Sequence, residues 1–204
     1  MKIKPSKIIA VGLNYTDHAH ELKMDLPKSP LIFLKPPSSL IHSGENIIYP
    51  PQTKELHYEA ELAVVIKDRI KNVPKEEALS HILGFTCGND VTARDLQKSD
   101  GQWTRAKSFD TFCPLGPEII SGISTDNLDI KLFLNGELKQ SSNTSNMIFK
   151  VEFLVSFISQ IMTLEAEDVI LTGTPAGVGP MQAGDVVEVE IEKIGRLKNR
   201  VVAG

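Results

Sequence analysis

The 204 residues carry a net charge of −4 and are 41% hydrophobic and 24% charged, an ordinary globular balance that sets up no large positive field and disfavours nucleic acid as a partner. The length suits a single domain, residues 1–204, with a sizeable core. Cys87 and Cys113 are too isolated to write a disulfide framework or a zinc site, and the apolar run at 8–11 is too short for a signal-peptide core or a membrane span, so a cytoplasmic protein is expected.

Residues 8–11 predict a short buried strand ended by Gly12, and 15–23 a helix with Asp17 and Glu21 in it. His18 and Glu21 stand three apart. On a helix they share a face, close enough for the carboxylate to orient and charge-stabilise the imidazole, although a routine surface contact has the same spacing. Pro27, Pro30, Pro36 and Pro37 make the next segment extended around a strand at 31–34. With Gly12 on its other side, the helix could move as a lid.

The run 57–66, His-Tyr-Glu-Ala-Glu-Leu-Ala-Val-Val-Ile, reads as a strand. Period two places Tyr58, Ala60, Leu62, Val64 and Ile66 on one face and Glu59, Glu61, Ala63 and Val65 on the other. Glu59 and Glu61 are therefore same-face neighbours about 6.6 Å apart along the strand, at the mouth of a face that turns apolar. Unpaired, they would raise each other's pKa, and a hard divalent ion is the simplest neutraliser. From the spacing alone, a solvent-facing strand end with two ordinary acids is the commoner case, because Glu-x-Glu recurs widely and ion-pair networks also perturb acids.

Pro74 suits a first helical turn, with a short helix over 75–83 stopping at Gly84 and a strand over 85–88. That strand delivers Asn89-Asp90, where a third carboxylate would meet Glu59 and Glu61 if the two strands lie side by side; an Asp there is also a plain turn residue. Residues 91–112 are polar and loosely periodic, a long irregular segment anchored by Trp103 and Phe109. Lys107, between Ala106 and Ser108, points inward or is one of many exposed lysines.

Asn135-Gly136 between apolar runs predicts a type I′ hairpin. Phe153, Leu154, Phe157, Ile158 and Ile161 form a helical stripe over 151–162, assigned to the core. A strand at 169–171 runs into the glycine-rich turn 172–179, which lacks the Gly-Lys-Ser/Thr of a phosphate loop. Its backbone N–H groups, Gly173 among them, and the Thr174 hydroxyl could still hold a small carboxylate. Strands at 186–191 and 196–201 close the chain.

Together these pieces resemble the fumarylacetoacetate hydrolase family. The motifs are Gly-Leu-Asn-Tyr-x-x-His-x-x-Glu at 12–21, Tyr-Glu-Ala-Glu-Leu-Ala-Val-Val-Ile at 58–66 and Gly-Asn-Asp-Val-Thr-Ala-Arg-Asp-Leu-Gln at 88–97. Lys-Ser-Phe-Asp-Thr-Phe at 107–112 and Leu-Thr-Gly-Thr-Pro-Ala-Gly-Val-Gly at 171–179 complete them. The resemblance implies a β-rich α+β fold, a mixed-sheet roll of the family's C-terminal domain type with few short helices, generally a homodimer. It implies Glu59, Glu61 and Asp90 as ligands of Mg²⁺ or Mn²⁺, His18 and Glu21 as the proton-transfer pair, and Lys107 as a substrate-contacting cation. Gln97, Gly173 and Thr174 become pocket groups. In compactness the chain is similar to the acylpyruvate hydrolase and oxaloacetate decarboxylase branch.

The chemistry expected of these groups starts with a 2-oxo acid chelating the ion through its carboxylate and 2-oxo oxygens, which stabilises the enolate formed when a bond at C3 breaks. For a 2,4-dioxo acid, His18 assisted by Glu21 would deprotonate a water that attacks the C4 carbonyl, releasing pyruvate as its enolate and a carboxylic acid. The alternatives are an oxaloacetate decarboxylase or tautomerase, a 2-hydroxyhepta-2,4-diene-1,7-dioate isomerase, and, more remotely, a non-catalytic metal-stabilised domain.

Overall fold

The computed structural model describes residues 3–204. A mixed seven-stranded sheet runs in the order β2 (Ile32–Lys35), β1 (Ile8–Val11), β12 (Val169–Leu171), β6 (Ala60–Ile66), β7 (Ile82–Asn89), β9 (Cys113–Ile120) and β3 (Leu40–His42). Its neighbours are antiparallel except β1 with β12 and β3 with β9. A second sheet runs β11 (Glu137–Asn143), β10 (Asp129–Leu134), β14 (Val186–Ile191), β15 (Gly195–Ala203) and β4 (Asn46–Tyr49). A small third sheet joins β13 (Gly179–Pro180), β5 (Leu56–Tyr58) and β8 (Thr92–Ala93).

The α-helices described are short: α1 (Thr16–Leu22), α2 (Arg94–Asp100), α3 (Thr104–Lys107) and α4 (Val151–Ile161). The β-rich α+β roll expected from the sequence is thus borne out. Among the described residues no helix is long and apolar enough to cross a membrane.

The alternation in 57–66 separates two cores. Ala60, Leu62, Val64 and Ile66 join the main cluster with Leu154 and Ile158 of α4 and Val187 and Val189 of β14. Ala63 and Val65 face a second cluster with Ile8, Ala10, Val169 and Leu171. With both faces covered, every residue of β6 is buried, as a central strand requires.

Several expectations change. The run 57–66 is two strands in different sheets, interrupted at Glu59. There the Glu59 N–H donates to Asn89 Oδ1 at 2.9 Å and the Glu59 carbonyl accepts from the Asp90 N–H at 2.9 Å, so a local clasp replaces the ladder. Gly84 does not stop a helix. It lies inside β7, where a Cβ would meet Ile119 Cγ2 at 2.5 Å and the Ile120 carbonyl oxygen at 2.7 Å, so glycine is needed for close approach to β9. The helix ahead of it is a 3₁₀ turn over Lys75–His81.

The supposedly irregular 91–112 contains β8, α2 and α3. In α4 the buried apolar residues are Val151, Leu154, Val155 and Ile158, with Ser156 and Ser159 buried beside them, while Ile161 is 52% exposed. Phe153 is half-buried in a stack between Phe149 and Phe157, with ring centres 5.5 and 6.0 Å away. The hairpin forms as expected, with positive φ at both Asn135 and Gly136.

Candidate active site and metal centre

β6 and β7 pair antiparallel with Ala60 opposite Asn89 and Glu61 opposite Gly88. That register sets Asp90, one residue beyond β7, beside the acids that bracket Ala60. One carboxylate oxygen from each of Glu59, Glu61 and Asp90 lies within 4.8 Å of the others, and all three side chains are buried.

Three cations surround them. Lys107, 2% exposed, places Nζ 2.9 Å from Glu59 Oε2 and 2.6 Å from Asp90 Oδ2. Lys35 of β2 places Nζ 2.6 Å from Asp90 Oδ1, and Arg94 pairs with Glu59 Oε1, which also accepts from the Thr92 hydroxyl at 3.2 Å. Burial works to raise the Glu59 pKa, but Lys107 and Arg94 overcome it and hold the carboxyl well below its usual range. For Lys107, burial works against the charge, and Asp90 and Glu59 more than restore it, so its pKa is raised.

Glu61 differs. It has no ion-pair partner among the described residues and accepts only from the Gly173 N–H, at 2.7 Å. Burial, then Asp90 and Glu59, push its pKa well above the carboxylate range. A buried acid without a cation, with a carboxylate oxygen within 4.8 Å of one from each of two other buried acids, fits a small hard divalent ion, and the all-oxygen donor set suits Mg²⁺ or Mn²⁺.

The other expected residues gather at the same place. His18, Gln97, Lys107 and Thr174 line one cavity of about 680 Å³ with the three acids. Glu21 stands behind His18, its Oε2 2.9 Å from Nδ1. It also accepts from the Gly177 N–H at 3.1 Å, which ties α1 to the glycine-rich turn. Because a carboxylate only accepts, Nδ1 carries a proton, and in the neutral ring Nε2 is then the nitrogen with the lone pair. Gln97 Oε1 accepts from Arg94 at 2.5 Å, which leaves its amide N–H groups to donate. The Thr174 hydroxyl accepts from Gln140 Nε2 at 2.9 Å, and no acceptor for its own proton occurs among the described residues. The turn does hold carboxylates, and they are the protein's own: Glu61 on Gly173 and Glu21 on Gly177.

Lys35 and Arg94 were missed by sequence reasoning. Lys35 ends an Ile-Phe-Leu-Lys strand in front of two prolines, and in such a strand an inward lysine is the exception. Arg94 stands inside the run 88–97, where Arg three residues before Gln97 at a helix start was the available signal.

Residues 7–202 match the fumarylacetoacetate (FAA) hydrolase C-terminal family. The chain belongs to the fumarylacetoacetate hydrolase family. Family members are enzymes, and the relatives matched carry different activities. A mitochondrial oxaloacetate tautomerase of Bos taurus is 46% identical over 211 residues, covering 98% of this chain and 67% of the relative. The crystal structure of 2-hydroxyhepta-2,4-diene-1,7-dioate isomerase from Mycobacterium marinum superposes with a TM-score of 0.93 at 48% identity, covering 98% of this chain and 76% of that one. Fumarylpyruvate hydrolase from Pseudomonas aeruginosa, solved with Mn²⁺ and pyruvate, gives a TM-score of 0.92 at 32% identity, covering 100% and 92%.

Proposed function

We propose that this protein is a divalent-metal-dependent enzyme that cleaves the C–C bond of an acylpyruvate by hydrolysis, with Glu59, Glu61 and Asp90 as ligands of Mg²⁺ or Mn²⁺. The observation that carries the reading is that a polarised imidazole and the acid cluster with its lysine line the same cavity. The Mn²⁺ and pyruvate in the related fumarylpyruvate hydrolase support the choice of metal and product.

A divalent ion bound there would stabilise the negative charge that develops on a 2-oxo acid. Charge bookkeeping agrees with an anionic substrate. Three acids meet Lys35, Lys107 and Arg94, so an added dication leaves two positive charges, which a carboxylate and a developing enolate offset. Lys107 spends two of its three N–H donors on Glu59 and Asp90. The third remains for a substrate oxygen. Gln97 and the Thr174 hydroxyl each have a donor to fix the substrate's orientation. His18 Nε2 takes the proton from a water that attacks the C4 carbonyl, while Glu21 holds the ring and stabilises the imidazolium.

A second reading is a tautomerase or isomerase, in which His18 moves a proton at C3 without an attacking water. It is supported by the names of the bovine and mycobacterial relatives. One catalytic domain over 1–204, working as a homodimer in the cytoplasm, completes the proposal. Purified protein assayed with acetylpyruvate, enol-oxaloacetate and an unsaturated dioxo acid, with Mg²⁺ and with EDTA, tests it. Metal-dependent release of pyruvate from acetylpyruvate is expected. Turnover of only the other two would favour the second reading, and full activity in EDTA would remove the metal.

A further inference from the structure

Beyond the acid end, the cavity has a second, apolar half. Leu22, Met24, Leu26 and Leu31 are 49%, 55%, 50% and 56% exposed, and all four line the cavity. Four large apolar side chains left open to water within ten residues form a patch that a soluble protein normally keeps only for binding. Phe33 joins the two halves. Lys107 Nζ sits 5.2 Å from its ring centre, and the indole of Trp103 meets it edge-on at 5.3 Å and 76°. The buried acids therefore form the floor and the exposed leucines and methionine the outer wall.

We propose that the substrate is a 2-oxo acid whose far end is a medium-length apolar chain, held by Leu22, Met24, Leu26, Leu31 and Trp103, and not a second carboxylate. This rests on the reading of the floor as a 2-oxo acid site. Three observations carry it. A cavity of about 680 Å³ falls in the size range of sites for ligands much larger than a four-carbon diacid.

A second carboxylate would also need a cation of its own. The Arg94 guanidinium is engaged by Glu59 and Gln97 and Lys107 is held at the floor, which leaves Lys98 as the remaining lysine or arginine lining the cavity, and it is 68% exposed and shared with Glu55 at 3.1 Å. Finally, Asp25 lines the cavity among the apolar groups, so a far carboxylate meets a like charge, the kind of repulsive element that sets specificity. An alkyl chain packs on the leucines, the Trp103 indole and an adaptable methionine, and carries no charge for Asp25 to repel.

The test has a turnover arm and a binding arm, both on the Mg²⁺-loaded protein. In the first, kcat/KM is compared for acetylpyruvate, butanoylpyruvate, hexanoylpyruvate and fumarylpyruvate. Each buried methylene is expected to raise it about fourfold, with hexanoylpyruvate best and fumarylpyruvate below butanoylpyruvate. In the second, calorimetry compares 2-oxobutanoate, 2-oxooctanoate and 2-oxoglutarate. 2-Oxooctanoate should bind on the order of a hundredfold tighter than 2-oxobutanoate, and Leu26→Asp, at an exposed position, should flatten that dependence. Chain-length dependence in binding without hydrolysis of any acylpyruvate would sink the proposed reaction and leave the apolar-tail assignment standing. Equal affinity along the series, preference for 2-oxoglutarate or fumarylpyruvate, or no binding of any 2-oxo acid overturns the assignment.

Discussion

Lys35 Nζ lies 2.6 Å from Asp90 Oδ1, with the lysine side chain wholly excluded from solvent and that of the aspartate 1% exposed. The pair spans 55 residues and joins β2, at the edge of the large sheet, to the acid that follows β7. Lys35 also donates to the Val91 carbonyl at 3.4 Å. It therefore fixes Asp90 while Lys107 shares the other carboxylate oxygen.

Lys35→Met removes a buried cation and leaves its partner in place, a change that costs about 3 to 5 kcal/mol. The melting temperature in EDTA should fall by roughly 6–20 °C for a chain of this size. In saturating Mg²⁺ the loss should be smaller, because the ion supplies part of the missing positive charge. Thermal melts under both conditions check this, and an identical loss in each would make Lys35 a packing residue with no bearing on the acid cluster.

Hydrolysis and decarboxylation ask different things of His18. Loss of CO₂ from oxaloacetate needs an electron sink at the 2-oxo group but no activated water, whereas hydrolysis of an acylpyruvate needs both. His18→Ala should lose acylpyruvate hydrolysis by about 10² to 10⁴-fold, or roughly 3 to 5 kcal/mol of barrier, while keeping most of any oxaloacetate decarboxylation. Glu59→Ala should lose both. A parallel fall of the two activities in His18→Ala would withdraw its assignment as the water-activating base.

The acid limb of stability has a specific source remote from the cavity. Asp168 accepts from the N–H groups of Ser6, Lys7 and Glu165 at 2.8–3.0 Å, from the Ser6 hydroxyl at 2.8 Å and from Lys7 Nζ. Burial tends to raise its pKa, but these bonds, led by Lys7, lower it below the usual value. A depressed folded-state pKa contributes stability that is present above the unfolded value and lost as pH falls through the folded one. Asp168→Asn should therefore cost about 2 to 3 kcal/mol at neutral pH, with the difference from the parent shrinking in acid below about pH 4. Denaturant melts across pH read it, and a pH-independent gap would contradict the account.

Much of this was legible in the chain. The alternation from Tyr58 to Ile66 assigned both core faces, and the strand ending at Asn89 brought Asp90 to the two glutamates through the register with β6. Lys35 was not legible, because a lysine beside an apolar strand is exposed by default and only pairing with a distant acid makes its burial tolerable. Gly84 misled for a related reason: glycine serves close strand approach as readily as helix termination, and the Ile119 side chain that decides between them is 35 residues away in sequence. The glycine-rich turn was expected to take a small carboxylate ligand, yet its Gly173 and Gly177 N–H groups are occupied by side chains of the protein itself. That the carboxylates are Glu61 and Glu21 depends on tertiary contacts no local spacing encodes.

In the proposed mechanism Glu59, Glu61 and Asp90 hold one divalent ion through which a 2-oxo acid is bound. Calorimetric titration of the chelated protein with Mn²⁺, followed by oxalate as a planar mimic of the enolate of pyruvate, tests it directly. One Mn²⁺ per chain, oxalate binding only after the metal, and loss of both in Glu61→Gln are predicted. Oxalate binding equally tight to the metal-free protein, or Mn²⁺ binding unchanged by Glu61→Gln, would contradict it.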